Sequence, residues 1–228
     1  MPGPDGMVVF SNTAISLDGR IATAARERVA LGSRTDLDYM SVLRARADAV
    51  LVGGATFRTW ALPLVPDPQA IARLEARGFP DAEAPAIDGR AWINAVVTRT
   101  LELPRAGRLS EDPRVRPLFL SSAAGPAPAR GELETADPVT VPWILDRLAA
   151  RGVRRLLLEA GGDLLSQFLA AGALDELFVT ICPRLVGGRG APSLLDGAGF
   201  SAAAAPRLEL LHLHRVGDEL FARYRVNH

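Results

Sequence analysis

The chain contains no lysine: all of its 26 basic residues are arginine. A Walker-type phosphate loop needs its lysine, and Schiff-base enzymes need a lysine amine, so both classes are excluded. There is one cysteine, Cys182, which rules out an intrachain disulfide and a cysteine zinc cluster. Lying in an apolar strand, it reads as an inert core thiol. The histidines are His212, His214 and His228. His212 and His214 share a strand face with no third ligand nearby, so no metal site is expected. The formal net charge is zero, which removes the electrostatic footprint of a nucleic-acid or anionic-membrane binder. No apolar run reaches the roughly 20 residues that cross a bilayer. Residues 1–6 (M-P-G-P-D-G) lack the basic and apolar pattern of a signal peptide. They read as a loose terminus, and the expected location is cytoplasmic.

Hydrophobic residues make up 48% of the 228 and charged residues 23%, the balance of a globular protein with ample core. No linker divides the chain, so a single domain over residues 1–228 is expected. Its most informative stretch is 152–183, which reads strand, glycine turn, helix, turn, strand. Residues 153–158 are a short, mostly apolar run that Glu159 ends with a carboxylate. Ala160, Gly161 and Gly162 form a turn with almost no side chains, and Asp163 can cap the next helix. Leu164, Leu165, Phe168 and Leu169 recur at helical spacing, Gly172 stops the helix, and residues 174–181 resume as a strand. A glycine turn feeding a helix N-terminus offers bare N–H groups beside a partial charge of roughly +0.5, which suits a phosphate. Glycine also occurs there simply because a tight corner needs it.

Residues 7–14 form the first expected strand, with Asn12 near its end. Asp18-Gly19 is a turn, and residues 20–23 return as a short extended piece. Thr35, followed by Asp38, has the form of a helix cap. Leu37, Met40 and Leu43 mark that helix's apolar face. Residues 49–52, Gly53-Gly54 and the helix from 55 to 60 repeat the strand–GG–helix pattern. A helix fits 68–77, and residues 61–91 as a whole read as a surface insertion. Strands are expected at 93–98 and 115–120, a loop at 121–138, a helix at 141–151 and a glycine-rich loop at 184–200. Residues 207–214 and 219–226 form a hairpin. The fold class is therefore α/β: three layers, a mostly parallel central sheet and a C-terminal antiparallel hairpin.

Ligands of open α/β sheets sit beyond the carboxyl ends of the strands. Three candidate segments fall there: Gly53-Gly54-Ala55-Thr56, Thr98-Arg99-Thr100 and Gly161-Gly162-Asp163. Together they suit a dinucleotide, and Arg99 with Arg58 suits a 2′-phosphate, favouring NADP over NAD. The segments serve equally as plain turns with solvated arginines. G-x-G-x-x-G is missing, and no strand-end acid follows about 20 residues on, which excludes a Rossmann dehydrogenase.

The chain resembles the pyrimidine reductase of riboflavin biosynthesis, which has a dihydrofolate-reductase-like fold. The matching segments are I-S-L-D-G-R-I-A, V-L-R-A-R-A-D-A-V-L-V-G-G-A-T, L-L-L-E-A-G-G-D-L, L-D-E-L-F-V-T-I-C-P-R-L-V-G-G and A-P-S-L-L-D-G-A-G-F, across most of residues 7–200. That family binds NADPH and transfers a hydride to the ribosyl carbon of a phosphoribosylamino-pyrimidine, such as 5-amino-6-(5-phosphoribosylamino)uracil. The resemblance places NADPH against Ala14, Ala30, Thr56, Arg99 and the Gly161–Gln167 turn, which includes Leu164. It places substrate against Asn12, Ser16, Asp18, Arg44 and Glu159. Asp18 serves equally to make its turn, Ser16 to bond local backbone, and Arg44 as a solvated helix residue. Glu159, ending a buried strand, needs a partner, and a pyrimidine N–H would serve. The resemblance further implies a homodimer, with the V-T-I-C strand and the 184–200 loop as interface parts.

The chain departs from the family after Thr56. T-W-A-L-P-L-V-P-D-P stands where an Asp-Asp-Pro run with a following basic residue is usual, and Trp60 stands where an acid is expected. The zinc deaminase domain often fused to this reductase is not among these 228 residues. F-R-T-W and R-T-D-L-D-Y-M are similar to dihydrofolate reductase itself. By that likeness Asp36 is a candidate catalytic acid, or else a first-turn acid favouring the helix dipole. A pterin-type reductase and a non-catalytic NADP-binding protein are the alternatives to a pyrimidine reductase.

Overall fold

The structure is a computed structural model that describes residues 6–26, 30–80, 84–85, 89 and 91–227. Residues 1–5 of the expected loose terminus, His228 and several positions of the expected 61–91 insertion lie outside the described residues. In chain order the elements are β1 (Val8–Ser16), α1 (Arg34–Ala45), β2 (Ala49–Gly53), α2 (Gly54–Trp60), α3 (Pro68–Ala76), β3 (Trp92–Thr98), a 3-10 helix (Ala106–Glu111), β4 (Val115–Ser121), β5 (Glu132–Thr135), α4 (Val141–Ala149), β6 (Arg155–Leu158), α5 (Gly162–Ala170), β7 (Glu176–Cys182), β8 (Arg207–Val216) and β9 (Glu219–Asn227). No helix among the described residues is long and apolar enough to cross a membrane.

The nine strands form one sheet, in the order β5-β4-β3-β2-β6-β1-β7-β9-β8. Only β9 runs against its neighbours β7 and β8. Alternation along the strands divides the core into two layers. Val9, Leu51, Leu156 and Leu177 pack with α4 and α5 on one face; Phe10, Val50, Leu157 and Phe178 pack with α1 and α3 on the other. Successive side chains of a strand point to opposite faces, so a continuous apolar run lets the sheet be covered on both sides. Gly172 stops α5 as expected, adopting φ +62°, which a side chain would resist.

Several local expectations are corrected. Helix α1 is capped by Ser33, whose hydroxyl accepts from Thr35 N at 3.1 Å; Thr35 lies inside the helix. Asp38 does not close a capping box, because Arg34 and Arg73 take its carboxylate at 2.7–2.9 Å. Leu37 faces solvent, while Tyr39, Val42 and Leu43 form the buried stripe. Gly161 occupies the cap position of α5, and Asp163 sits in the first turn without capping. Of residues 20–23, only Arg20 pairs, in an isolated bridge to Ser193. The 121–138 loop contains β5, which shows no apolar signal. Its Glu132 and Glu134 face outward to Arg151, and Arg116 also reaches Glu132. The V-T-I-C segment lies within β7, between β1 and β9. His212 and His214 face Arg223 and Phe221 of β9, and no metal-holding cluster occurs among the described residues.

Candidate active site

Parallel register brings five strand ends to one edge of the sheet. Gly53 pairs with Val97, Leu51 with Leu158, Ser11 with Leu158 and Ser16 with Cys182. The turns after β3, β2, β6, β1 and β7 are therefore neighbours. From β1 the chain leaves through α1 toward β2; from β6 it returns through α5, on the opposite face, toward β7. The reversal opens a crevice at β2, β6 and β1, where open α/β sheets bind ligands.

The two glycine turns face one another there. A Cβ on Gly161 would lie 3.9 Å from Thr56 Oγ1, and one on Gly53 would lie 4.0 Å from the Leu164 side chain. Neither α2 nor α5 has a side-chain cap, so their first N–H groups are bare. Gly54 is required by packing: its Cβ would come within 2.8 Å of Thr98 Oγ1 and 3.4 Å of Arg58 Nη1. Thr98 Oγ1 in turn donates to Thr100 O at 2.7 Å. Gly162 is required by the chain itself, since its Cβ would lie 2.5 Å from Ser193 O and 2.8 Å from Asp196 N. Asp163 and Arg99 are exposed, Ala14 is half-buried beside Thr180, and Ala30 is exposed. Arg58, Arg99, Arg184 and Arg189 rim this edge, all exposed and none in an ion pair among the described residues.

Beneath that rim, on the α1 face, the charges are negative. Phe10 belongs to this face, so alternation places Asn12, Ala14 and Ser16 on it as well. Arg44, in the last turn of α1, grips Glu159 with two parallel bonds, Nε to Oε1 and Nη2 to Oε2, both 2.7 Å. The side chains are only 16% and 10% exposed, so Arg44 is no solvated helix residue. Burial alone would lower the guanidinium pKa, but the Glu159 charge and its hydrogen bonds carry the net change upward. Ser16 donates to Asp18 Oδ1 at 2.6 Å. Asp18 also accepts from Val186 N at 3.0 Å and Gly187 N at 2.7 Å. Those bonds, the Ser16 hydroxyl first, hold its carboxyl down at about 2. Ser16 and Asp18 thus tie the end of β1 to the loop after β7. Gly19, at φ +78°, closes that turn.

Three participants are not apparent in the sequence: Ser33, Glu219 and Thr180. Glu219, at the start of β9, accepts from Ser33 N at 2.6 Å and Ser33 Oγ at 2.5 Å, docking the hairpin on the start of α1. Asp36 lies beside it and is only 5% exposed. Burial, with smaller pushes from the Glu219 and Glu159 charges, raises its carboxyl from 3.8 to about 6; a hydrogen bond from Thr180 opposes the rise. Gly32 makes room for it, since a Cβ there would fall 2.2 Å from Asp36 Oδ2. Cys182 is inert as expected: burial, then the charges of Asp36 and Glu219, push its thiol up to about 12.

The family model described as the RibD C-terminal domain matches residues 7–222. The chain belongs to this family. Over 96% of its length it is 34% identical to 97% of a protein from Methanothermobacter thermautotrophicus, a 2,5-diamino-6-ribosylamino-4(3H)-pyrimidinone 5′-phosphate reductase. The RibD C-terminal architecture recurs in a pyrimidine reductase-like protein from Corynebacterium diphtheriae, with TM-score 0.72, 21% identity, and 98% of this chain covered against 93% of that one. The wider fold extends to a dihydrofolate reductase from Enterococcus faecalis, with TM-score 0.52, 12% identity and 97% of each chain covered. These likenesses bear out the expected fold class. After α2, Asn94 holds the backbone: Leu64 N donates to its Oδ1 at 2.7 Å and its Nδ2 donates to Leu64 O at 3.0 Å. Trp60 is 41% exposed just before it.

Proposed function

We propose that the chain is an NADPH-dependent reductase of a phosphorylated ribosylaminopyrimidine, of the kind its Methanothermobacter relative is named for. One observation carries this reading: an acidic floor of Asp36, Glu159 and Glu219 lies beneath a rim of arginines that form no ion pair among the described residues, at the switch point of the sheet. Such a site suits ligands with a hydrogen-bond-donating heterocycle at one end and phosphates at the other. The cofactor fits the two facing glycine turns. Gly53, Gly54, Thr56 and Thr98 would hold one side, and Gly161, Gly162, Asp163 and Leu164 the other, with Ala14 and Ala30 at the margin. Arg99 and Arg58 would take a 2′-phosphate. The chemistry supplied by the bound cofactor is a hydride for the ribosyl carbon. The chain's own part is positioning: Arg44 fixes Glu159, Asn12 faces the crevice, and Ser16 with Asp18 holds the loop that borders it. A cytoplasmic location belongs to the same proposal.

The test is titration of the protein into NADPH, followed at the cofactor's fluorescence, and then oxidation at 340 nm with the diaminopyrimidinone ribosyl phosphate. Binding with turnover is expected, with NADH the weaker partner. Turnover only with dihydropterins would replace the substrate assignment. Binding without turnover of any pyrimidine or pterin would replace the enzyme by a cofactor-binding protein. No binding at millimolar protein would overturn the whole reading.

A homodimer completes the proposal. The outer strand β8 exposes Leu208, Leu210 and Leu213 at 44%, 49% and 56%. They sit opposite Val226, Tyr224 and Ala222 and so share one face. An apolar edge strand left bare invites pairing, and a two-fold axis would place the same leucines against each other. Sedimentation should give a dimer for the parent and a monomer for Leu210→Glu. A monomeric parent would refute this.

A further inference from the structure

We propose that Glu219 is a positioning residue of the active site: it completes the cap of α1 from across the sheet and so fixes the start of that helix against the crevice. The inference rests on the reductase reading above. Parallel strands reach the ligand edge with their carboxyl ends. Strand β9 runs against β7 and reaches the same edge with its first residue, Glu219. That side chain belongs to a residue only 6% exposed. Its Oε1 accepts from Ser33 N at 2.6 Å and its Oε2 from Ser33 Oγ at 2.5 Å. The Ser33 hydroxyl passes the tie into the helix by accepting from Thr35 N at 3.1 Å. Two residues along β9, Phe221 meets Tyr39 edge-on with ring centroids 6.0 Å apart. Thr180, opposite Phe221 on β7, hydrogen-bonds the Asp36 carboxyl. Ser33, Asp36 and Tyr39 are spaced by three residues, so one face of α1 is gripped by the antiparallel side of the sheet.

The chemistry of the tie sets it apart from a packing contact. A capping box is ordinarily closed from within, by an acid three residues after the cap that turns back to the cap N–H. In α1 the residue at that place is Asp36. Glu219 takes the Ser33 N–H instead, from 186 residues away, and Asp36 does not fold back on the cap. The arrangement works against stability. The Glu219 charge adds to burial in raising the Asp36 carboxyl, and Glu219 forms no ion pair among the described residues. A tie serving stability alone would use neutral partners. What this one secures is geometry. Helix α1 carries Arg44 and through it Glu159, and Ala30 leads into the cap beside the proposed cofactor. The connection from β1 to α1 is already anchored at its start, where Asp18 accepts from Val186 N and Gly187 N. Glu219 anchors its end. A shift of about 1 Å in groups that hold the reactants slows a reaction on the order of 100-fold.

The experiment is steady-state and single-turnover reduction of the diaminopyrimidinone ribosyl phosphate by NADPH in the parent, Glu219→Ala, Ser33→Ala, the double variant and Ser33→Thr. NADPH deuterated at both C4 positions reports the hydride step, and fluorescence titration counts cofactor sites per chain. Glu219→Ala should lower kcat by about 10- to 100-fold with KM held within about threefold, because the binding groups remain and are misaligned. Its kcat should carry the full single-turnover isotope effect, and its cofactor sites per chain should equal the parent's. Ser33→Ala keeps the backbone bond and should lose about tenfold in kcat. The double variant should be no slower than Glu219→Ala, since the two residues are the ends of one contact. Ser33→Thr should regain what Ser33→Ala loses, because threonine supplies the same hydroxyl. An unchanged kcat in Glu219→Ala, a slowed kcat without the isotope effect, or losses that multiply in the double variant overturn the proposal. Fewer cofactor sites per chain in Glu219→Ala would make it a folding residue and overturn it too. Each of these leaves the reductase reading standing. A parent that does not oxidise NADPH with this compound takes the reductase reading and this inference down together.

Discussion

Replacing Arg44 with methionine should destabilise the fold by about 3–5 kcal/mol, because it strands a buried carboxylate. A surface ion pair would be worth about 0–1 kcal/mol; what decides between the two is the exposure of the pair, 16% for Arg44 and 10% for Glu159. Both carboxylate oxygens lose their donor at once. The loss reaches beyond the site, since Glu159 follows β6, which lies between β2 and β1 in the sheet. The double replacement Arg44→Met with Glu159→Leu should recover most of the stability, because packed apolar groups replace a buried pair at little net cost. Urea unfolding of the two single variants and the double gives the coupling. A loss below about 1 kcal/mol in Arg44→Met would show that water reaches Glu159 and that the pair acts as a surface contact.

Asp36→Asn should make the protein more stable, not less. Burial raises the folded carboxyl from 3.8 to about 6, and two units correspond to about 3 kcal/mol. Below pH 4 the group is protonated in both folded and unfolded chains, and its ionisation costs nothing. Between about pH 4 and 6 the folded chain holds the proton that the unfolded chain has lost, so stability falls as pH rises. Above pH 6 the full penalty remains. The asparagine variant is spared it, and at pH 7.5 should melt about 5–10 °C higher, given about 2–4 °C per kcal/mol for a chain of this size. Near pH 4 the two proteins should melt together. Thermal scans at both pH values decide the matter. A variant less stable at pH 7.5, or a difference independent of pH, would mean that donors beyond the Thr180 hydroxyl offset the burial of the Asp36 carboxylate. A group kept at such a cost is what a binding site retains and a core does not.

The two strand–GG–helix units were legible because their signals are local. Apolar runs of strand length end in glycine and then switch to helical spacing, at 49–60 and again at 153–170. Asp18-Gly19 was legible as a turn, and Glu159 as a carboxylate in need of a partner. That partner is Arg44, 115 residues away, and no local spacing points to it. Glu219 and Ser33 are 186 residues apart. Strand β5 went unseen because a charged edge strand carries no apolar pattern; its pairing with β4 and the reach of Arg151 create it.

The sequence by itself determined the fold class, the order of strands and helices apart from β5, and which turns must be glycine, because periodicity and backbone sterics act over a few residues. Only the tertiary structure decided which carboxylates have both oxygens partnered and which does not. Asp18, Asp36, Glu159 and Glu219 look alike in sequence. Burial and long-range donors satisfy three of them and leave Asp36 Oδ1 alone. Desolvation depends on everything packed around a group, and that exists only once the sheet has assembled.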